Sequence, residues 1–119
     1  MSEYYSERSW GTWIVLAMQP GYKVKKLKVN PGFALSKQYH TQRSEYWVVL
    51  SGNGELLLDK SRILDYNYLS NQKIKKGDYI HIPKQVIHKV SNTGTEPLVI
   101  IETQVGEVCD ENDIVRLDE

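Results

Sequence analysis

The sequence predicts an all-β fold. Three observations carry that expectation: short runs of β-branched and aromatic residues recur along the chain, residues that form turns separate them, and no segment of helical length has apolar periodicity. Strands are expected over residues 22–29, 35–40, 45–50, 55–58, 79–82, 86–90 and 98–103. Pro20-Gly21 precedes the first and Pro31-Gly32 follows it; Gly52-Asn53-Gly54, Gly77-Asp78, Asn92-Thr93-Gly94 and Pro97 separate the others. These residues accept positive φ or preset turn geometry. Residues 60–76 are less regular, because Ile63, Leu64, Tyr66, Tyr68 and Leu69 are apolar enough to pack yet lie among polar turn formers; they read as a hairpin extension or a lid. Residues 110–115 read as one short turn.

Regular short strands with this punctuation build a sandwich or a barrel. No repeat of fixed period and no low-complexity tract is visible, which argues against a propeller or solenoid. A chain of 119 residues with no linker reads as one domain, residues 1–119, since single domains most often run to roughly 100–150 residues.

Composition narrows the function. Fifteen lysines and arginines balance fifteen aspartates and glutamates with no long block of one sign, so nothing suggests a grip on nucleic acid or a membrane surface. The longest uncharged apolar stretch, residues 13–18, is too short to span a bilayer, and the polar start is no secretory leader. One cysteine, Cys109, cannot close an internal disulfide, which fits a cytoplasmic protein. Eight tyrosines and three tryptophans against one phenylalanine give aromatic residues with polar tips, suited to pocket walls.

The chemistry concentrates in two places. Gln38 and His40 stand two apart on an expected strand, so their side chains leave the same face. Glu45 follows after enough residues for a turn that returns its carboxylate beside His40, and His88 arrives from a distant strand. Two imidazoles, a carboxylate and an amide oxygen suit one divalent metal ion such as zinc, manganese, cobalt, iron or magnesium. Arg43, between two of these ligands, can fork onto a phosphate or carboxylate of a substrate, or pair with Glu45 or an acidic residue on a neighbouring strand. Lys23, Lys25, Lys26 and Lys28 read as a solvated face, and Glu102 and Gln104 share a strand face that can line a cavity.

The spacing resembles the two cupin motifs. Gly32, Gln38, His40, Glu45 and Gly52 fall on the first, with glutamine in place of its first histidine; Gly77, Pro83, His88 and Asn92 fall on the second, with Gln85 where glycine is usual. The run Gln38-Tyr39-His40 followed by Arg43-Ser44-Glu45-Tyr46-Trp47-Val48-Val49 is similar to type II mannose-6-phosphate isomerases, in which glutamine replaces that histidine. Residues 8–11, 21–25, 101–104 and 113–116 extend the resemblance over nearly the whole chain. It implies a cupin jelly-roll barrel and a metal-dependent, stand-alone isomerase interconverting mannose 6-phosphate and fructose 6-phosphate. It also suggests a homodimer, as in many small cupins. A nucleotide-sugar epimerase or ketoisomerase and a non-catalytic sugar-binding cupin are the alternatives. His81, Glu102 and Lys37 are unranked candidates for the general base.

Overall fold

A computed structural model describes residues 4–117. Eleven strands form among them: β1 (Tyr5–Arg8), β2 (Gly11–Gln19), β3 (Tyr22–Val29), β4 (Gln38–Tyr39), β5 (Arg43–Ser51), β6 (Asn53–Asp59), β7 (Leu69–Lys75), β8 (Tyr79–Ile82), β9 (Ile87–Asn92), β10 (Leu98–Gly106) and β11 (Val115–Arg116). They make a six-stranded sheet, β1-β2-β3-β10-β5-β8, and a five-stranded sheet, β11-β4-β9-β6-β7. All pairings are antiparallel. The expected all-β architecture is present, and among the described residues no helix is long and apolar enough to cross a membrane.

Two sheets that curl toward each other must fill the space between them from alternate residues of each strand. Here the inward positions divide along the strand direction. On β3, Lys23 and Lys25 lead into Leu27 and Val29; on antiparallel β10, Leu98 and Ile100 lead into Glu102 and Gln104; on β5, Arg43 and Glu45 lead into Trp47 and Val49, and all twelve are buried. Leu56, Leu58, Ile74, Ile80, Ile82, Val86 and Val90 complete the apolar half. One end of the barrel is therefore sealed by hydrocarbon, while the other presents charged and amide groups inward.

The lysines of β3 correct the expectation of a solvated face. Leu27 and Val29 must point inward, and a period of two then carries Lys23 and Lys25 inward as well, while Lys26 and Lys28 are exposed. The expected strand at 35–40 shrinks to Gln38–Tyr39 plus an isolated bridge between Ala34 and Ser91. Gln38 donates its side-chain amide to the carbonyl of Ser36 just before this short strand. Four strands had no clear sequence signal. Of these, β1, β7 and β11 are sheet edges, where one residue in each of β1 and β7 is buried and none in β11, so alternation is faint. Residues 60–76 do extend a hairpin, β6–β7, closed by Lys60 N–H donating to Tyr68 O.

Motif positions fix the turns. Gly52 sits at φ 89°, and a Cβ there would lie 2.5 Å from the Pro97 carbonyl oxygen, so the β5–β6 turn admits no side chain. Gln85, at the motif position usual for glycine, has φ 71°. Its N–H donates to the carbonyl of His40 across 2.8 Å, tying the second motif to the first.

Candidate metal centre and its cavity

Residues separated by most of the chain meet at the polar end of the barrel. Glu45 lies on β5 and His88 on β9; His40 follows β4 directly. One ligand-capable atom from each of His40, Glu45 and His88 lies within 4.8 Å of the others. His40 Nε2 is 3.1 Å from Glu45 Oε2, and His88 Nε2 is 4.0 Å from Glu45 Oε1. Gln38 is the cross-strand partner of His88 and borders the same cavity. Its amide nitrogen donates to Ser36 O at 3.1 Å and Oγ at 3.2 Å, so its oxygen is the end not engaged by Ser36.

The two imidazoles are oriented alike. His40 Nδ1 lies 2.6 Å from the carbonyl oxygen of Asp113, and His88 Nδ1 lies 3.0 Å from that of Val86. A carbonyl only accepts, so both Nδ1 atoms carry hydrogen and both Nε2 atoms turn toward Glu45. Metal-binding histidines are commonly oriented in this manner, by a hydrogen bond from the other ring nitrogen. The donor set fits a divalent cation.

Electrostatics prepare the same atoms. Burial alone would raise the Glu45 carboxyl, but the His40 hydrogen bond and the charges of His40, His88 and Arg43 hold it well below the usual range. Its Oε2 accepts from Arg43 Nε at 3.0 Å and its Oε1 from Trp47 Nε1 at 3.0 Å. Burial pushes His88 down to about 4, against the opposing pull of Glu45, so its ring is neutral at neutral pH. Arg43 also donates through one terminal nitrogen to Asp110 O at 2.9 Å, and its other terminal nitrogen lies 3.4 Å from His40 Nε2.

The cavity beside this cluster has a volume of about 490 Å³ and is bordered by Gln38, Arg43, Glu45, His88, Lys25 and Glu102 among others. It separates the three candidate bases. His81 stacks on Tyr46 with ring centroids 4.6 Å apart, on the exposed outer face of β8, and Lys37 does not border the cavity. Glu102 does border it, buried on β10. Burial and then the charge of Glu45 raise its carboxyl to about 7, against Lys25 and Arg43, and its Oε1 accepts from Gln104 Nε2 at 2.7 Å.

Sequence reading missed the chain's last segment. Asp113 supplies the carbonyl that orients His40, and its carboxylate accepts from Thr41 N–H, Thr41 Oγ1 and Gln42 N–H at 2.8–3.0 Å. Asp110 anchors Arg43, and Glu111 pairs with Lys23 and Lys25. Residues 110–115 do make a short turn, with Asp113 N–H donating to Asp110 O, but only the fold reveals what it lies against.

Comparison with known proteins decides the family. A sequence profile described as the mannose-6-phosphate isomerase C-terminal region matches residues 2–119. The chain belongs to this family. Among relatives of the mannose-6-phosphate isomerase C-terminal family, the xanthan biosynthesis protein XanB of Xanthomonas campestris pv. campestris is 34% identical over 112 residues, covering 94% of this chain and 22% of that protein. The mannose-1-phosphate guanylyltransferase 2 of Escherichia coli O157:H7 is 36% identical over 120 residues, covering 97% of this chain and 23% of that protein. The chain thus spans less than a quarter of the length of these relatives. The capsular polysaccharide assembling protein CapF of Staphylococcus aureus shares the fold with a TM-score of 0.78 at 20% identity, covering 97% of this chain and 34% of that one. The oxalate decarboxylase of Bacillus subtilis, a protein with Mn(II) centres, has a TM-score of 0.80 at 19% identity, covering 97% and 30%. These likenesses identify the barrel as a cupin double-stranded β-helix.

Proposed function

We propose that the chain holds one divalent metal through Gln38, His40, Glu45 and His88 and interconverts mannose 6-phosphate and fructose 6-phosphate. The observation that carries the reading is that an oriented His40–Glu45–His88 cluster reaches, through Glu45 and His88, the same cavity that the carboxyl of Glu102 borders, in a member of this family. A metal held there supplies Lewis-acid polarisation of a sugar carbonyl.

The chain's own residues supply the rest. Aldose–ketose isomerisation removes a proton from the carbon beside the carbonyl and returns one to the neighbouring carbon. Glu102, ionised, takes the C2 proton of the open-chain aldose and returns it to C1, and the proton of the C2 hydroxyl passes to the former carbonyl oxygen. A carboxyl raised to about 7 suits both directions, because neither its acid nor its base form is scarce at neutral pH. Trp47 and Arg43 fix the Glu45 carboxylate, and the N–H groups of Arg43 not engaged by Glu45 and Asp110 face an oxygen-rich substrate.

The test is turnover in heavy water by protein loaded in turn with zinc, manganese, cobalt, iron and magnesium. Mannose 6-phosphate should yield fructose 6-phosphate, with deuterium at C1 wherever Glu102 exchanges its proton with solvent. No fructose 6-phosphate with any of these ions sinks the isomerase reading. Solvent hydrogen at another ring carbon of a nucleotide-linked sugar would point to an epimerase instead.

A further inference from the structure

Two buried lysines share a half-exposed carboxylate at the polar end of the barrel. Lys25 Nζ lies 3.0 Å from Glu111 Oε1 and Lys23 Nζ lies 3.3 Å from Oε2; side-chain exposure is 6% and 9% for the lysines and 42% for the glutamate. Withdrawing two ammonium groups from water is costly unless anions compensate them. Here one carboxylate serves both. The other acid close by, Glu102, is the cross-strand partner of Lys25, and its Oε1 accepts from Gln104 Nε2. The carboxylate that reaches both ammonium groups therefore comes from a turn rather than from the barrel.

We propose that Lys25, which borders the cavity, and Lys23, joined to it through Glu111 at the cavity's edge, form an anion subsite, and that Glu111 is an internal stand-in which a phosphate monoester displaces. Geometry places the subsite opposite the metal centre. Across the sheet, Lys23 aligns with Gln104 and Gln104 with Glu45, so β3 is two strand spacings, about 10 Å, from β5. The Lys25 ammonium lies farther round still, 4.2 Å from the centre of the Trp13 ring on β2. A ligand reaching from Glu45 to Lys25 must carry its carbonyl at one end and its anion at the other, as an open-chain sugar phosphate does. A dianionic phosphoryl group also matches two lysines better than a single carboxylate does. Glu111 lies on the same turn as Asp110, whose carbonyl accepts from Arg43, and two residues before Asp113, whose carbonyl accepts from His40, so the stand-in belongs to the segment that borders the metal centre. Only the identity of the anion rests on the isomerase reading; the lysine pair and its stand-in do not.

The experiment is calorimetric titration of inorganic phosphate into the chain, with a chelator present so that no bound metal can hold the anion. Glu111→Gln removes the competing charge at a half-exposed position and should bind phosphate about tenfold tighter than the parent, the scale of one charged hydrogen bond. Adding Lys25→Met, which keeps the length and apolar stem, should abolish that gain. Equal affinity of parent and Glu111→Gln overturns the proposal, as does a gain that survives Lys25→Met in a double variant whose circular dichroism matches the parent's. Turnover reads a separate claim. Phosphate binding that strengthens as stated in a chain inactive with every metal refutes the isomerase and supports the subsite.

Discussion

His40 donates its Nδ1–H to the backbone carbonyl of Asp113 across 2.6 Å, so a residue near the end of the chain orients a ring near its middle. The Asp113 side chain fastens that carbonyl in place through its bonds to Thr41 and Gln42, and these bonds also hold its carboxyl below the usual range despite partial burial. Asp113→Ala should therefore cost about 1–2 kcal/mol of stability in urea melts. It should also weaken metal binding by about 10–100-fold, the usual effect of loosening a ligand's outer partner. Unchanged metal affinity in a calorimetric titration would show that the carbonyl needs no such support.

His88→Ala removes one ligand atom and leaves Glu45 with one imidazole fewer. Elemental analysis after metal loading and gel filtration should find the variant largely empty where the parent holds one ion per chain. Full occupancy at the parent's affinity would refute the ligand set.

Arg43→Ala should destabilise the protein by about 3–5 kcal/mol, because it strands the buried Glu45 carboxylate without its closest fixed cation. Arg43→Lys keeps the charge but not the fork, and should fall between the two in denaturant midpoint. A loss below about 1 kcal/mol for Arg43→Ala would mean that Glu45 draws its compensation from the histidines alone.

Two groups pull stability in opposite directions with pH in the metal-free protein. Glu102 titrates at about 7 in the folded chain against an ordinary 4.5, so its contribution is present in acid and is lost as pH rises through 7. His88 titrates at about 4 against 6.5, so its contribution is present above 6.5 and is lost as pH falls through 4. Glu102→Gln deletes the first effect only. In the presence of chelator its thermal midpoint should gain on the parent's progressively between pH 4.5 and 7, and hold a constant lead above that. A difference independent of pH would show that Glu102 is not raised.

Gln85→Gly should stabilise the protein by about 0.5–1 kcal/mol, since φ 71° strains any residue with a Cβ while glycine's extra chain entropy offsets part of the gain. Denaturant midpoints of parent and variant give the comparison. A loss of stability would mean that the Gln85 side chain, whose oxygen accepts from Arg62 at 3.2–3.3 Å, contributes more than the turn costs.

The sequence exposed what depends on spacing. Gln38, His40 and Glu45 are close in the chain, and His88 sits in a second motif, so their convergence was legible before any fold. Strands with inward apolar residues, such as β3 and β10, were legible for the same reason. Edge strands were not, because β7 buries only Ile74 and exposes polar residues on either side of its alternation. Lys23 and Lys25 looked like surface, yet Leu27 and Val29 two and four residues beyond Lys25 already set the parity that turns them inward. The roles of Asp110, Glu111 and Asp113 lay beyond sequence reading, since each depends on where a turn settles against strands more than sixty residues away. Which of His81, Glu102 and Lys37 borders the cavity likewise depends on which sheet face is inside.

The division of β3 and β10 into a hydrocarbon half and a polar half has a consequence for retargeting the protein. Positions 23, 25, 102 and 104 lie at the polar end of the barrel, whereas Val29, Leu98 and Ile100 close the other end and Leu27, between the two, still borders the cavity. A change of recognition chemistry at the first four positions leaves the apolar seal intact. A randomised library confined to those four positions would explore new ligands on a constant scaffold; the same diversity placed at Val29, Leu98 and Ile100 would explore only whether the barrel stays closed.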